Sequence, residues 1–177
     1  MSLPVIYAKA LYMAAKEQNV VDDVDQNFNS FVEIFENVTD VKKILCGPLA
    51  ATSEKRAVIE NVAKKLQVNT EFKNFLLLLN KKRRMAIVSK IHKAFRRVRC
   101  EGEGKEYGHV VSAQPLSSAE LSRLSETMAK KFGRPMEFEV EHDPRLIAGM
   151  KVVVGGTTYD GSVQTKLKKM RDAVSIQ

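Results

Sequence analysis

The chain has no tryptophan, three histidines and two cysteines in 177 residues. Cys46 and Cys100 form no CxxC pair, which argues against a structural zinc site and for a reducing compartment. His92, His109 and His142 fall on separate elements with no metal-type spacing. No apolar run approaches the roughly 20 residues that a membrane-spanning helix needs. The opening stretch, MSLPVIYAKALYMAAKEQ, lacks the charged region, apolar core and cleavage site of a secretory signal. A soluble protein, cytoplasmic or at most peripheral, is expected. Hydrophobic content of 44% and charged content of 28% fit a folded globular chain. The net charge of +8 suits a nucleic acid, an anionic membrane surface or an acidic protein partner. Charge alone does not choose among them.

Glycine is sparse until EGEGKEYG, residues 101–108, where the helical pattern breaks. A boundary near residue 104 divides a helical part, 1–104, from a small α/β part, 105–177. A single domain with this segment as a long connection is the other arrangement. The first part reads as six helices in a bundle. Helix one runs from about Pro4 to Gln18. The second carries Val24, Phe28, Phe31 and Phe35 on one face. A short third helix stops at Cys46-Gly47-Pro48. The fourth opens at Thr52-Ser53-Glu54, and the fifth follows Asn69-Thr70. The sixth is expected over about Arg84 to Arg99.

The second part has period-two stretches. Gly108, Val110 and Ser112 alternate with Tyr107, His109 and Val111. Ser117 and Glu120 form a capping box for a helix with Leu121, Leu124 and Met128 inward. In MEFEVEH, Met136, Phe138 and Val140 point inward and the glutamates outward. Met150, Val152 and Val154 begin another strand. A terminal helix carries Val163, Leu167, Met170 and Val174 on one stripe. The expected fold class is α+β: a six-helix bundle, then β-α-β-β-β-α. The core of so short a second domain is limited, so help from the first domain or a partner is expected.

The stretch GMKVVVGGTTYDGS, 149–162, could be taken for a phosphate-binding loop. A Walker loop requires a lysine directly after its last glycine, and Gly161 is followed by Ser162-Val163. The dinucleotide spacing is also absent. Gly155-Gly156 fits a hairpin turn. Asp160, Gly161 and Ser162 fit the cap of the last helix. Gly149 opens the same motif. His142-Asp143 reads as a strand end before an Asp-Pro turn, and Glu137, Glu139 and Glu141 as an exposed acidic face. No catalytic residue, cofactor or metal ligand is assigned.

Two helices carry more apolar surface than one stripe requires. Between Leu3 and Ala15 the only charge is Lys9, and in FLLLL, 75–79, apolar positions pass right round the helix. Either both helices are enclosed by the bundle, or each lends one face to a groove for a partner's amphipathic helix. Basic runs follow: KKRRM at 81–85, then KLKKMR at 166–171. A single-stranded nucleic-acid adaptor would interleave aromatics with such cations. Here the aromatics keep core periodicity, so acidic protein helices are the preferred complement. The nucleic-acid adaptor stands as the alternative.

Leu146 to Met170, LIAGMKVVVGGTTYDGSVQTKLKKM, resembles the C-terminal signature of the delta subunits of F-type ATP synthases, the family of the oligomycin-sensitivity-conferring protein. Asp143, Leu146, Ile147, Gly149, Asp160, Gly161, Ser162 and Leu167 carry the match. Tyr7-Ala8-x-Ala10-Leu11 is similar to that family's opening helix, and FLLLLNKKRRM to its segment ending in arginine, here Arg84. VVSAQPL, 110–116, is similar to the strand after its linker. Lys82-Arg83 departs from the usual Asn-Gly, and Gln164-Thr165-Lys166 from Arg-Gly-Arg. The resemblance implies a non-catalytic stator subunit tying the catalytic head to the peripheral stalk. It implies that the helical part binds N-terminal helices of alpha subunits and that the C-terminal part joins the b subunits. It favours the groove, with Tyr7, Ala8, Leu11, Leu77, Leu78 and Arg84 as its residues. It places the protein at the cytoplasmic face of a bacterial inner membrane, or alternatively at the mitochondrial matrix face.

Overall fold

The computed structural model describes residues 2–48, 50–146, 148–163, 165, 167 and 171. It divides into two compact units, Met1–Arg99 and Cys100–Gln177. Among the described residues seven α-helices and four strands form, a mixed α+β fold.

The helices are α1 (Leu3–Glu17), α2 (Val21–Asn37), α3 (Thr39–Cys46), α4 (Thr52–Lys65), α5 (Thr70–Lys81) and α6 (Val88–Gly102). Local chemistry fixes several starts. Pro4 sits in the first turn of α1, where a missing N–H costs nothing. The Glu54 carboxylate accepts the Ala51 N–H at 3.1 Å at the head of α4. The Asn69 side chain accepts the Phe72 N–H at 3.0 Å and caps α5. The helix expected from about Arg84 does begin there, behind Arg83 with its left-handed φ of 55°, but it opens as a 3₁₀ turn over Met85–Ile87, and α6 starts at Val88. At the other end α6 runs past Arg99 and stops where Gly104 turns left-handed, letting the Lys105 N–H reach the Cys100 carbonyl at 2.8 Å.

The helical core is aromatic. Phe28 of α2 sits 5.0 Å from Phe72, 6.0 Å from Phe75 and 5.9 Å from Phe95, ring centre to ring centre. Phe31, Leu76, Leu79, Val88 and Ile91 are fully enclosed around it. Arg99 Nη1 donates to the Asp25 carboxylate at 2.7 Å and ties the end of α6 to α2.

The second unit runs β1 (Glu106–Ser112), α7 (Ser118–Phe132), β2 (Met136–His142), β3 (Met150–Val154) and β4 (Thr157–Asp160). The sheet order is β2-β1-β3-β4. β1 and β2 are parallel, with α7 as the crossover, and the other pairs are antiparallel. Ser117 and Glu120 cap α7 reciprocally, as the sequence predicts. Leu124, Met128 and Phe132 of α7 pack on Val110, Val152 and Val154. Gly108 faces Phe138 across β1–β2, and a side chain there would overlap that ring. One expectation fails. Val140, expected inward, is 38% exposed, because β2 is an edge strand paired with β1 alone. Val163 and Leu167, expected on one stripe of a terminal helix, are exposed, at 37% and 55%. Met170 and Val174 of that stripe, and the rest of the terminal helix, lie outside the described residues. Val163, Thr165, Leu167 and Arg171 have helical backbone.

Candidate partner-binding cleft

α1 has two apolar sides. Ala8, Leu11 and Ala15 face the core. Leu3, Ile6, Ala10 and Ala14, spaced by three or four residues, form a second stripe one side round the helix. Leu3 and Ile6 are 39% and 50% exposed. In α5 Phe72, Leu76 and Leu79 are enclosed while Leu78 is 44% exposed, so the apolar run wraps the helix and its outward side stays open. These outward sides meet in a cleft of about 580 Å³ between α1 and α5. Leu11 and Phe75, both nearly buried, close its floor, and Leu3, Ile6 and Leu78 form its walls.

The polar groups of the cleft are few. Arg84 Nη1 donates to the Tyr7 hydroxyl at 2.7 Å, and the guanidinium lies 5.5 Å from the Tyr7 ring centre. Tyr7 in turn meets Phe75 edge-on at 6.3 Å. This cation-on-ring stack holds a half-buried arginine against the lip and leaves the remainder of its fork of donors outside that bond. Glu71 and Asn74 line α5 nearer its N-terminus.

Of the residues expected at a groove, Tyr7, Leu11, Leu78 and Arg84 are brought together here. Ala8 and Leu77 are not. Each follows or precedes a lining residue by one position, a rotation of about 100° on a helix. That rotation turns Ala8, fully buried, into the core, and leaves Leu77 packed against the core cluster. Leu3, Ile6, Ala10, Ala14, Glu71, Asn74 and Phe75 complete the lining and were not anticipated. The second stripe of α1 is the signal that identifies four of them.

The glycine motif in the second unit is structural. Gly155 and Gly156, with φ of 56° and 81°, make the two-residue turn from β3 to β4. Gly149 has φ 92°, and a Cβ there would lie 2.6 Å from the Gly161 carbonyl oxygen, so the backbones touch. The Asp160 carboxylate accepts the Ser162 N–H at 2.9 Å and the Thr165 hydroxyl at 2.9 Å. Ser162 Oγ accepts the Thr165 N–H at 3.3 Å. The bonds from Ser162, then Thr165, with Lys151 nearby, hold the Asp160 carboxyl well below the usual carboxylate range. These groups cap the chain after β4 and satisfy one another. On the neighbouring strands Tyr107 donates to Glu139 at 2.8 Å and His109 Nε2 lies 3.1 Å from Glu141, so the acidic face is bonded across β1 and β2. His142 Nε2 meets the Ala113 carbonyl at 3.0 Å. Among the described residues no three His, Cys, Asp or Glu side chains gather as a metal site, and no helix is long and apolar enough to cross a membrane.

Fold and cleft thus define an α+β protein of two compact units, with an apolar furrow between two helices of the first. Residues 5–174 match the family described as ATP synthase delta (OSCP) subunit, and the chain belongs to that family. It is similar to the ATP synthase subunit delta of Desulfosudis oleivorans (strain DSM 6200 / JCM 39069 / Hxd3), 30% identical over 168 residues, 95% of this chain and 92% of that one. The subunit delta of Geobacter sp. (strain M21) is 29% identical over 166 residues, covering 94% and 92%. A chain of the Toxoplasma gondii mitochondrial ATP synthase hexamer superposes with a TM-score of 0.74 over 98% of both chains at 18% identity. A chain of the Polytomella F-ATP synthase, from a refinement of F1 head and rotor, gives 0.54 over 58% of this chain and 90% of that one at 16% identity. These two likenesses establish the shared fold. The subunits of this family are structural and not catalytic.

Proposed function

We propose that the α1/α5 cleft is where this stator subunit grips the catalytic head, by receiving an N-terminal helix of an alpha subunit. Family membership makes the protein a non-catalytic subunit that couples head and peripheral stalk, so that proton-driven rotation drives ATP synthesis. The observation that supports the docking site is an apolar furrow walled by exposed Leu3, Ile6 and Leu78. Such surface is costly to leave in water and matches the apolar stripe of an amphipathic helix. A joint under torque needs buried apolar anchors for affinity and charges for orientation, and the cleft has both.

In the same reading residues 1–104 form a six-helix bundle that docks on the head. Residues 105–177 join the b subunits, and exposed Val163 and Leu167 offer an apolar contact there. The protein then sits peripherally at the cytoplasmic face of a bacterial inner membrane. Calorimetry of the full chain with a peptide copying the first residues of the alpha subunit tests the docking. A saturable complex of one peptide per furrow is expected. A chain that binds nucleic acid with steep salt dependence and ignores the peptide would overturn it.

A further inference from the structure

The apolar walls of the cleft explain why a helix would enter, but not which way round. Its two ends differ in charge. Along α5 the lining begins at Glu71, in the first turn, and passes Asn74, Phe75 and Leu78. Beyond the end of the helix it closes with Arg84, which is fixed on Tyr7. Glu71 and Lys81 are ten residues apart, so about 15 Å of helix separates the ends. Of the charged residues lining the furrow, the Arg84 guanidinium therefore stands at one end and the Glu71 carboxylate at the other, and the walls between are apolar.

We infer that these ends read the direction of the bound helix: its carboxylate-bearing end lies at Arg84 and its basic or neutral end at Glu71. This deepens the docking reading and rests on it. The occupant is an amphipathic helix of about three turns, a length of about 16 Å, with an apolar stripe along its middle. An acidic residue in the terminal turn next to Arg84 would meet the donors that Tyr7 does not occupy. A reversed helix would set like charges together at both ends, and it would lose those pairings without losing its apolar contact. Orientation is thereby decided by charge and affinity by burial.

Three synthetic helical peptides with one identical leucine stripe test this on the full chain: one with glutamates in one terminal turn and lysines in the other, one with glutamates at both ends, one with lysines at both. Binding is read by calorimetry, and a spin label on the glutamate end of the first is read by broadening of backbone amide signals. The mixed peptide should bind about threefold tighter than the all-lysine peptide at low salt, the range of exposed ion pairs. Its label should broaden the Arg84 amide and spare Glu71. Arg84→Glu combined with Glu71→Arg should move the broadening to position 71. Equal affinities with broadening at both ends, still abolished by Leu78→Asp, would overturn the directional inference and leave the docking site standing. Failure of every peptide, and of the alpha-subunit peptide, to perturb the furrow would overturn both.

Discussion

Leu78→Asp puts a carboxylate on the wall of the α1/α5 cleft, two residues from a position where the same change would wreck the bundle. Leu78 is 44% exposed, whereas Leu76 is 0% exposed. Complete burial of a leucine side chain contributes about 1.5–3 kcal/mol. The part of Leu78 still open to water can therefore add about 1 kcal/mol when a partner covers it. Leu78→Ala should weaken docking by roughly fivefold on that basis. Leu78→Asp adds the desolvation of a buried charge, several kcal/mol in an apolar site, and should weaken docking by more than about a hundredfold. Folding should hardly notice, since the carboxylate of the free protein stays hydrated. Leu76→Asp is the contrast: it buries an unpaired charge in the helical core cluster and should leave no folded bundle. Thermal unfolding by circular dichroism and calorimetry with the alpha-subunit peptide, on both variants of the full chain, make the comparison. If Leu78→Asp binds as the parent does, or melts as Leu76→Asp does, the cleft is not the docking surface.

Other consequences can be measured on the free protein. Phe28→Ala empties the centre of the aromatic cluster and should cost about 3–5 kcal/mol in urea unfolding. Gly149→Ala must strain a left-handed φ and press on the Gly161 carbonyl, so it should destabilise the second unit more than Gly156→Ala, which has the same φ sign but open space around it; denaturation curves of the two rank them. Ser117→Ala removes the α7 cap and should cost about 1 kcal/mol, read the same way. Asp160 has a depressed folded pKa, so its contribution is fully present above the unfolded value of about 3.9 and is lost as the pH falls below it toward the folded value. The melting-temperature gap between the parent and Asp160→Asn should therefore narrow on acidification, and a gap that widened would contradict the assigned bonds.

Much of this architecture is legible in residue spacing. The phenylalanines of α2 repeat every three or four residues and do line one core. The Gly155-Gly156 hairpin and the Ser117 cap follow from backbone rules that need no tertiary knowledge. What spacing does not supply is which side of an all-round apolar helix another element covers. Ala8 and Leu77 look equivalent in the sequence to their neighbours Tyr7 and Leu78, and a rotation of about 100° separates each pair in the fold. The 3₁₀ turn that opens the last bundle helix, where an α-helix is expected from about Arg84, escapes spacing for a similar reason. A run of lysine and arginine favours helix by propensity, and only the packing of Met85 and Val88 into the core requires the chain to turn there. Edge position misled the reading of Val140: the alternating pattern of MEFEVEH identifies a strand face, but neighbours decide whether that face is covered.

A density map of the assembled synthase containing this subunit tests the central claim most directly. A helix of foreign chain lying between α1 and α5, in contact with Ile6, Leu78 and Arg84, is the expected result. A furrow filled only by solvent, with the head attached through some other face of the helical unit, would contradict it.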